Sequence, residues 1–351
     1  MPVPRPSLRD IARKLNVSHV TVSMALRNHP RISAARCEEV QRVSREMGYR
    51  PDPMLSSLIA YRQSKQVKPI AATLAWINRW PDPKALRRQG EFNAYWEGAT
   101  EAADRLGYRV EEFVVTPDLT AARLNKILQA RSVFGLLIPP HPAPIQWGSF
   151  AIDWPKFAIV RFGFSALDLK AHMIGNDQMR SGELAVRRAH DLGYRRMGYL
   201  SCSGFDSTTD GNFRVGFQRG LETVAVRCRP KPLVLEGRLD QRLPKDLAAM
   251  RAWLHRWKPD AILTSEPALP EVLRQFGLRV PDSLGLFATT VRDCGTIDAG
   301  LDQNPVEIGR VAAKTLIELV NQQELGNPVL CRRVLVEGSW VNGKSLPPRV
   351  I

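Results

Sequence analysis

Apolar positions in the first fifty residues recur at helical spacing in three short blocks. Leu8, Ile11, Ala12 and Leu15 form the first, Val22, Ala25 and Leu26 the second, and Cys37, Val40, Val43 and Met47 the third. Polar residues set the boundaries. Ser7-Leu8-Arg9-Asp10 fits a capping box, the serine side chain taking the Asp10 N–H and the carboxylate returning to the serine N–H. Asn16 tolerates the left-handed conformation and so ends the first helix in a tight turn. Val17 drops back into the core, Ser18 is a second N-cap, Ser33 opens a third helix and Gly48 stops it. From Ile70 the texture changes. Strands are predicted over 70–77, 109–115, 134–138, 157–161, 197–201, 233–235, 261–264 and 284–288. Helices are predicted over 91–106, 121–130, 181–192, 212–224, 245–257 and 268–276, and 79–91 reads as an inserted loop, a lid or a dimer contact. This is the rhythm of parallel sheets with helices on both faces, and its two similar stretches predict two lobes with a cleft at the strands' carboxyl ends. The expected fold class is an N-terminal all-α helix-turn-helix head followed by an α/β two-lobed core.

Two short helices joined by about three residues, with a third across them, place a recognition helix in the DNA major groove. The outward positions of the second helix carry Ser, Thr and His rather than Glu and Lys pairs, as expected where side chains meet phosphates and base edges. The competing reading is a three-helix bundle with no DNA role. Charge separates the two. The chain of 351 residues carries a net charge of +15, and residues 1–68 alone hold 13 Lys and Arg against 5 Asp and Glu. A hydrophobic share of 44% and a charged share of 24% exclude wholesale disorder.

Several other chemistries find no footing. No apolar run reaches the ~18 residues of a membrane span, and the start MPVPRPSLRD lacks the apolar core of a signal peptide, so a cytoplasmic location is expected. Cysteines at 37, 202, 228, 294 and 331 are odd in number and lack CxxC or Cys/His spacing, which argues against a disulfide framework and a zinc site. There is no Walker loop, nucleophile elbow or GxGxxG after a strand. Asp206 to Asp210-Gly211 only echoes a calcium loop, without its downstream glutamate, and His141, His172, His190 and His255 are scattered. No catalytic residue, metal ligand or cofactor is assigned, and an enzyme is not expected.

The pattern V-S-x-x-T-V-S at Val17–Ser23 and G-Y-x-P at Gly48–Pro51, within residues 7–58, resembles the head and hinge of the lactose-repressor (LacI/GalR) family. The resemblance implies that residues 18–24 read an operator, with His19 and Val20 on the base-reading pair. Met24 stands where the family usually has arginine, so apolar contact of Val20 and Met24 with thymine methyls replaces a bidentate guanine contact. Ser7, Ser18, Thr21, Ser23, Asn28, Arg31 and Tyr49 complete the candidate DNA contacts of the head. In the hinge, Asp52 caps and Pro53 suits a first helical position, but the segment is too short for a stable helix alone. In the family it folds on DNA, pairs with the partner's copy and wedges a leucine into the minor groove, which Leu58 matches. Leu55 replaces the usual small alanine and Asp52 the usual asparagine. Arg62, Lys65 and Lys68 form a basic joint.

The stretch from about 70 to 340 resembles the family's effector-binding core, which is like a periplasmic sugar-binding protein. Phe134-Gly135-Leu136-Leu137-Ile138, Leu192–Met197, Pro259–Ile262, Val280-Pro281-Asp282 and Leu301-Asp302-Gln303 carry the resemblance. It implies a head over 1–50, a hinge and linker over 51–69, and a core over 70–345 crossed three times between lobes. The N-lobe would take about 70–189 and 304–331, the C-lobe about 190–303 and 332–345. Asp177 sits where the family has a ligand-binding aspartate. Phe213 replaces its arginine, Glu266-Pro267 its Asn-Asp pair and Thr290 its aspartate, while Gln303 fits its hinge-strand glutamine. Trp76, Asn78 and Arg161, with Arg79 and Trp80, lie near the carboxyl ends of predicted strands and complete the candidate effector site. The altered polar set leaves three alternatives: an effector that is not an ordinary sugar, one held differently, or none. The expected function is a ligand-responsive repressor that binds a pseudo-palindromic double-stranded operator as a homodimer. The competing classes are a solute-binding protein of the same two-lobed fold and a DNA-binding protein without sequence preference.

Overall fold

Three helices, α1 (Leu8–Leu15), α2 (His19–Leu26) and α3 (Ala34–Glu46), make the head in the computed structural model, which describes residues 7–26, 32–47, 72–116, 118–142 and 146–349. Each helix opens on a serine. The Ser7 N–H donates to Asp10 Oδ2 at 2.8 Å and the Asp10 N–H to Ser7 Oγ at 3.4 Å, closing the expected capping box. Ser18 Oγ accepts the Thr21 N–H at 3.0 Å, and Ser33 Oγ the Arg36 N–H at 3.4 Å. Asn16 adopts φ 50, ψ 47, the left-handed turn that its short amide side chain tolerates. Ile11, Ala12, Val22, Ala25, Cys37, Val40 and Val43 form the buried centre, flanked by Leu8, Leu15, Val17, Leu26 and Met47. Asn28, Arg31, Gly48, Tyr49, Leu55, Leu58 and the segment 51–69 lie outside the described residues.

The core begins with β1 (Ala72–Asn78), α4 (Pro83–Arg88), α5 (Gly90–Arg105), β2 (Tyr108–Val114), α6 (Ala121–Ala130), β3 (Gly135–Ile138), β4 (Ala158–Phe162) and β5 (His172–Asn176). Next come α7 (Gln178–Asp191), β6 (Met197–Cys202), α8 (Ser203–Thr208), α9 (Asn212–Thr223), β7 (Leu233–Leu235), α10 (Pro244–Trp257), β8 (Ala261–Thr264), α11 (Leu269–Gln275) and β9 (Gly285–Ala288). The chain ends through β10 (Gly300–Asp302), α12 (Pro305–Gln322), β11 (Arg333–Val336) and β12 (Ser339–Val341). The strands form two six-stranded sheets, ordered β11-β5-β4-β3-β1-β2 and β12-β10-β9-β8-β6-β7. The first is parallel throughout; in the second only β12 runs antiparallel, against β10. Inner strands such as Gly-Leu-Leu-Ile in β3 and Ala-Ile-Leu-Thr in β8 are buried along their whole length, as parallel strands covered on both faces must be.

Each lobe rests on one close helix crossing. In the first, α5 packs on α12, and a Cβ added to Gly98 would stand 1.9 Å from the Val306 carbonyl oxygen. In the second, α7 packs on α9, and a Cβ on Gly216 would stand 2.1 Å from the Met179 carbonyl oxygen. Backbone therefore touches backbone at both crossings, and a side chain on these faces would force the helices apart.

These contacts move two lobe boundaries. The family resemblance assigned residues up to 189 to the first lobe, but α7 packs on α9 in the second, so the first crossing lies between β5 and α7. It also assigned residues from 332 to the second lobe, but β11 pairs with β5 in the first, so the last crossing lies between Val336 and Ser339. The strands β5 and β10–β12 are three to five residues long and escaped the pattern. Segment 79–91 is not a plain loop. Asp82 Oδ1 accepts the Lys84 N–H at 3.0 Å and caps α4, and α5 follows directly.

Candidate functional site

On the head, α2 carries five of the residues expected from the sequence to contact DNA, His19, Val20, Thr21, Ser23 and Met24. His19 and Ser18 are exposed and Met24 is half-buried. Ser18 and Thr21 lie 2.9 Å apart through their hydroxyls, so the cap also orients the threonine. The Ser7 hydroxyl is engaged by Asp10, to whose Oδ2 it donates at 2.6 Å. Val20 and Ser23 lie on the same helix.

A cavity of about 430 Å³ opens between the two lobes at the carboxyl ends of both sheets. The ten residues expected there divide unevenly. Trp80, Glu266, Thr290 and Gln303 line it. The other six do not, for reasons of packing. Arg79 lies over the Trp147 and Phe150 rings of the first lobe. Trp76 is wholly buried in the first lobe, its ring 5.5 Å from Trp96 and 5.1 Å from Phe162. Asn78 is wholly buried too; its Nδ2 donates to the Pro83 carbonyl and to Glu112 Oε1, each at 3.0 Å, and its Oδ1 accepts the Trp80 N–H at 2.9 Å. That bracing turns Trp80, rather than Trp76, toward the cleft. Arg161 donates to the Gly163 carbonyl inside the first lobe. Asp177 Oδ1 accepts the Arg180 N–H at 3.1 Å, capping α7, and lines a separate groove with Arg180, Arg219 and Arg333. Phe213 is core in the second lobe and stacks on Phe205 at 5.8 Å.

Sequence reasoning missed Glu91 and Asp293, which join the lobes. Asp293, from the second lobe, accepts the Gly90 N–H at 2.6 Å and the Glu91 N–H at 3.0 Å. The helix α5 has no side-chain cap of its own, so its N-terminus and dipole are satisfied from the other lobe. Beside it, Thr290 Oγ1 donates to Glu91 Oε2 at 2.8 Å. Gln303 Nε2 donates to the Thr289 carbonyl at 3.1 Å, and the Gln303 carbonyl accepts from Asn176 Nδ2 at 3.4 Å. Glu91 had one sequence signal, an acidic residue in a first helical turn, which reads as a surface complement to the helix dipole. We expect Asp293→Ala to lower stability by about 1–2 kcal/mol and to enlarge the radius of gyration in small-angle scattering. An unchanged scattering profile and melting point would show that the cap does not hold the lobes together.

The electrostatics of the cavity follow from burial. Desolvation pushes the Glu91 carboxyl up to about 8; Asp293 and Asp302 nearby add to the rise, while the Thr290 hydrogen bond and Arg292 oppose it. Burial also raises Glu266, whose Oε2 accepts the Leu239 N–H at 2.8 Å. His141 is held down to about 3 by desolvation, and its Nε2 accepts the Arg79 N–H at 3.1 Å, so the neutral ring carries its proton on Nδ1. Burial lifts the Cys202 and Cys294 thiols to about 11 and about 12, so neither is a thiolate nucleophile near neutrality. Among the described residues no cluster of three His, Cys, Asp or Glu has a metal-holding arrangement, and no helix is long and apolar enough to cross a membrane. Trp80, Phe92 and Tyr95 form a continuous aromatic wall, with centroid spacings of 6.1 and 5.9 Å.

Comparison with known proteins agrees with this geometry. The family model for bacterial regulatory proteins of the lacI family matches residues 7–52, and that for a periplasmic binding protein-like domain matches residues 186–346. The HTH-type transcriptional repressor CytR of Escherichia coli strain K12 is 44% identical over 337 residues, covering 92% of this chain and 92% of its own. The HTH-type transcriptional regulator MalR of Streptococcus pneumoniae serotype 4 is 23% identical over 343 residues, covering 96% of this chain and 98% of its own. Among solved structures, the lac repressor dimer bound to operator and the anti-inducer ONPF superposes with a TM-score of 0.56 at 18% identity, covering 98% of this chain and 100% of the other. The complex of the transcriptional regulator CelR with cellobiose gives 0.58 at 18%, covering 97% and 100%. The structural likeness at such low identity establishes the fold, and the relative at 44% identity establishes kinship along nearly the whole chain: it belongs to the LacI family of bacterial regulatory proteins.

Proposed function

We propose that this chain is a ligand-responsive repressor that binds a pseudo-palindromic operator as a homodimer in the cytoplasm. One observation carries the reading: a capped three-helix head and a cavity bounded by both lobes occur in the same chain. Ligand in such a cavity changes the relative affinity for open and closed lobes, and only that difference shifts what the heads do. The working division is a head over 1–50, a hinge over 51–69 and a core over 70–345. Each head would take one half-site through α2. His19 and Met24 supply base contacts, and the basic excess of residues 1–68 meets phosphates. Glu266, Thr290 and Gln303 belong to the effector site, joined by Glu91 and the aromatic wall.

Selection of DNA sites from a random pool tests the reading. The expected product is a two-fold-symmetric sequence whose footprint survives excess competitor DNA at physiological salt. Binding without an enriched site would make the chain a non-specific DNA-binding protein. Sedimentation should find a dimer on one operator; a monomer with full affinity would overturn the dimer. Met24→Arg is expected to create a guanine preference at one position per half-site, worth about 1–3 kcal/mol of discrimination in repeat selections. No new guanine preference would remove Met24 from the reading set.

A further inference from the structure

Five residues lining the cleft leave a buried side-chain atom without a hydrogen-bond partner: Glu91 Oε1, His141 Nδ1, Gln178 Oε1, Ser265 Oγ and Thr289 Oγ1. Gln178 Oε1 is an acceptor, Glu91 Oε1 is one when the carboxyl is ionised, the two hydroxyls can serve as either, and only His141 Nδ1 is a donor. Buried polar groups are ordinarily paired, so five in one cavity, four of them able to accept, mark a polar binding surface. The charged lining has a sign as well. Among the described residues of the lining, Glu91, Glu266 and Asp293 face a single cation, Arg238, which is itself half-exposed and 3.9 Å from Asp240. Glu91 is 4% exposed and its Oε2 is already bonded to Thr290, which leaves Oε1 as its free acceptor. Two members of the aromatic wall stand on the same helix, because Phe92 and Tyr95 follow Glu91 on α5.

We propose that the cleft takes a small ligand carrying a protonated amine, with the ammonium seated against Glu91 and its apolar frame against Trp80, Phe92 and Tyr95. The inference rests on the cleft being the effector site. An ammonium supplies N–H donors to Glu91 Oε1 and its acceptor neighbours, and aromatic faces favour a cation close by. An anionic ligand such as a sugar phosphate would meet three carboxyl groups and one arginine. A neutral sugar would leave the Glu91 carboxyl protonated and would bind without moving its proton. Binding also moves a proton. The groups around Glu91 are Asp293 and Asp302, which hold its proton on, Arg292, which opposes them, and the neutral Tyr95 and Thr290. Its carboxyl, raised to about 8, is mostly protonated at pH 7, and the incoming ammonium re-ionises it, releasing that proton to solvent.

The test uses the full chain and matched amine and alcohol probes: benzylamine with benzyl alcohol, phenethylamine with 2-phenylethanol, and tyramine with tyrosol. Thermal shifts are read at pH 7, followed by calorimetry in two buffers of different ionisation enthalpy. At least one amine is expected to raise the melting point where its alcohol does not, and to release about one proton on binding at pH 7, falling toward none above pH 9. Glu91→Gln is expected to weaken amine binding at least tenfold and to abolish the proton release. An alcohol that matches its amine, undiminished binding by Glu91→Gln, or no stabilisation by any of the amines overturns the proposal. Operator affinity separates the two readings. An amine that binds through Glu91 without changing operator affinity keeps the ligand class and removes the effector role. A neutral sugar that releases the operator does the reverse.

Discussion

Gly309→Val is expected to unfold the first lobe. A Cβ at this position would stand 2.1 Å from the Tyr95 carbonyl oxygen and 2.8 Å from the Ala99 nitrogen. Both are backbone atoms, so no rotamer change relieves the clash, and α12 must move away from α5. These two helices cover one face of the first sheet, where Leu74, Trp76, Val160, Phe162, Ile308 and Leu316 are buried together. Separating them exposes this cluster as well as straining it. Overpacking at a tight site costs about 1–3 kcal/mol and more where backbone is struck, so a loss of about 3–5 kcal/mol is expected. That is a large part of the stability of an ordinary domain. The readout is a lost or strongly lowered melting transition, with new proteolytic cuts confined to residues 72–176 and 305–336. Gly204→Ala is the control, because it is also helical and has nothing within 4 Å of an added Cβ. A Gly309→Val chain that melts within a degree of the parent would refute direct backbone contact at this crossing.

The second large effect is a dependence of stability on pH set by the cleft. The Glu91 carboxyl is raised from 4.5 to about 8 in the folded chain. Between these values the unfolded chain gives up the proton and the folded chain keeps it, so stability falls as pH rises through this window and levels off above 8. The full displacement corresponds to about 5 kcal/mol, and about 3–5 kcal/mol is the realistic range for the loss at pH 9. His141 acts at the other end. Its ring is lowered from 6.5 to about 3, so the unfolded chain takes a proton first and stability falls as pH drops below 6.5. From these two groups, stability is flat between pH 4.5 and 6.5 and declines on either side. Glu91→Gln removes the alkaline decline. Denaturant midpoints of parent and variant should agree near pH 5 and separate progressively to pH 9, the variant being the more stable. Parallel pH curves for the two chains would contradict a protonated Glu91 in the empty cleft.

That Glu91 carries both this penalty and the proposed ligand contact has a physical logic. A carboxyl buried without a counter-charge is costly, and the cost is relieved only when a cation arrives. The same residue is tied to Thr290 of the other lobe, so relief at Oε1 is felt across the cleft. A ligand acting there alters the free energy of closure itself, which is what a switch between two lobe arrangements requires.

The head was the most legible part of the chain. Ser7, Asn16, Ser18 and Ser33 act on backbone groups within three or four residues of themselves, so their sequence neighbours suffice to predict the caps that form. The alternation of strands and helices was legible for a similar reason, since a buried parallel strand declares itself by a run of apolar residues and its helix by a 3.6-residue period. Periodicity identifies that a helix has an apolar face, not which sheet covers it. The face of α7 fits either lobe by pattern, and it was Gly182 and Gly216, meeting the backbone of α9 and α7 in turn, that placed it in the second. The cleft was the least legible. Trp76 and Trp80 are four residues apart and both near the end of β1, yet one is core and the other wall, because Asn78 is anchored by Pro83 and Glu112. Glu91 meets Thr290 and Asp293 across about two hundred positions of sequence. Local order thus determined most of the longer elements and the capped head, while the short strands, the crossings and the cleft were decided by contacts between segments that only packing brings together.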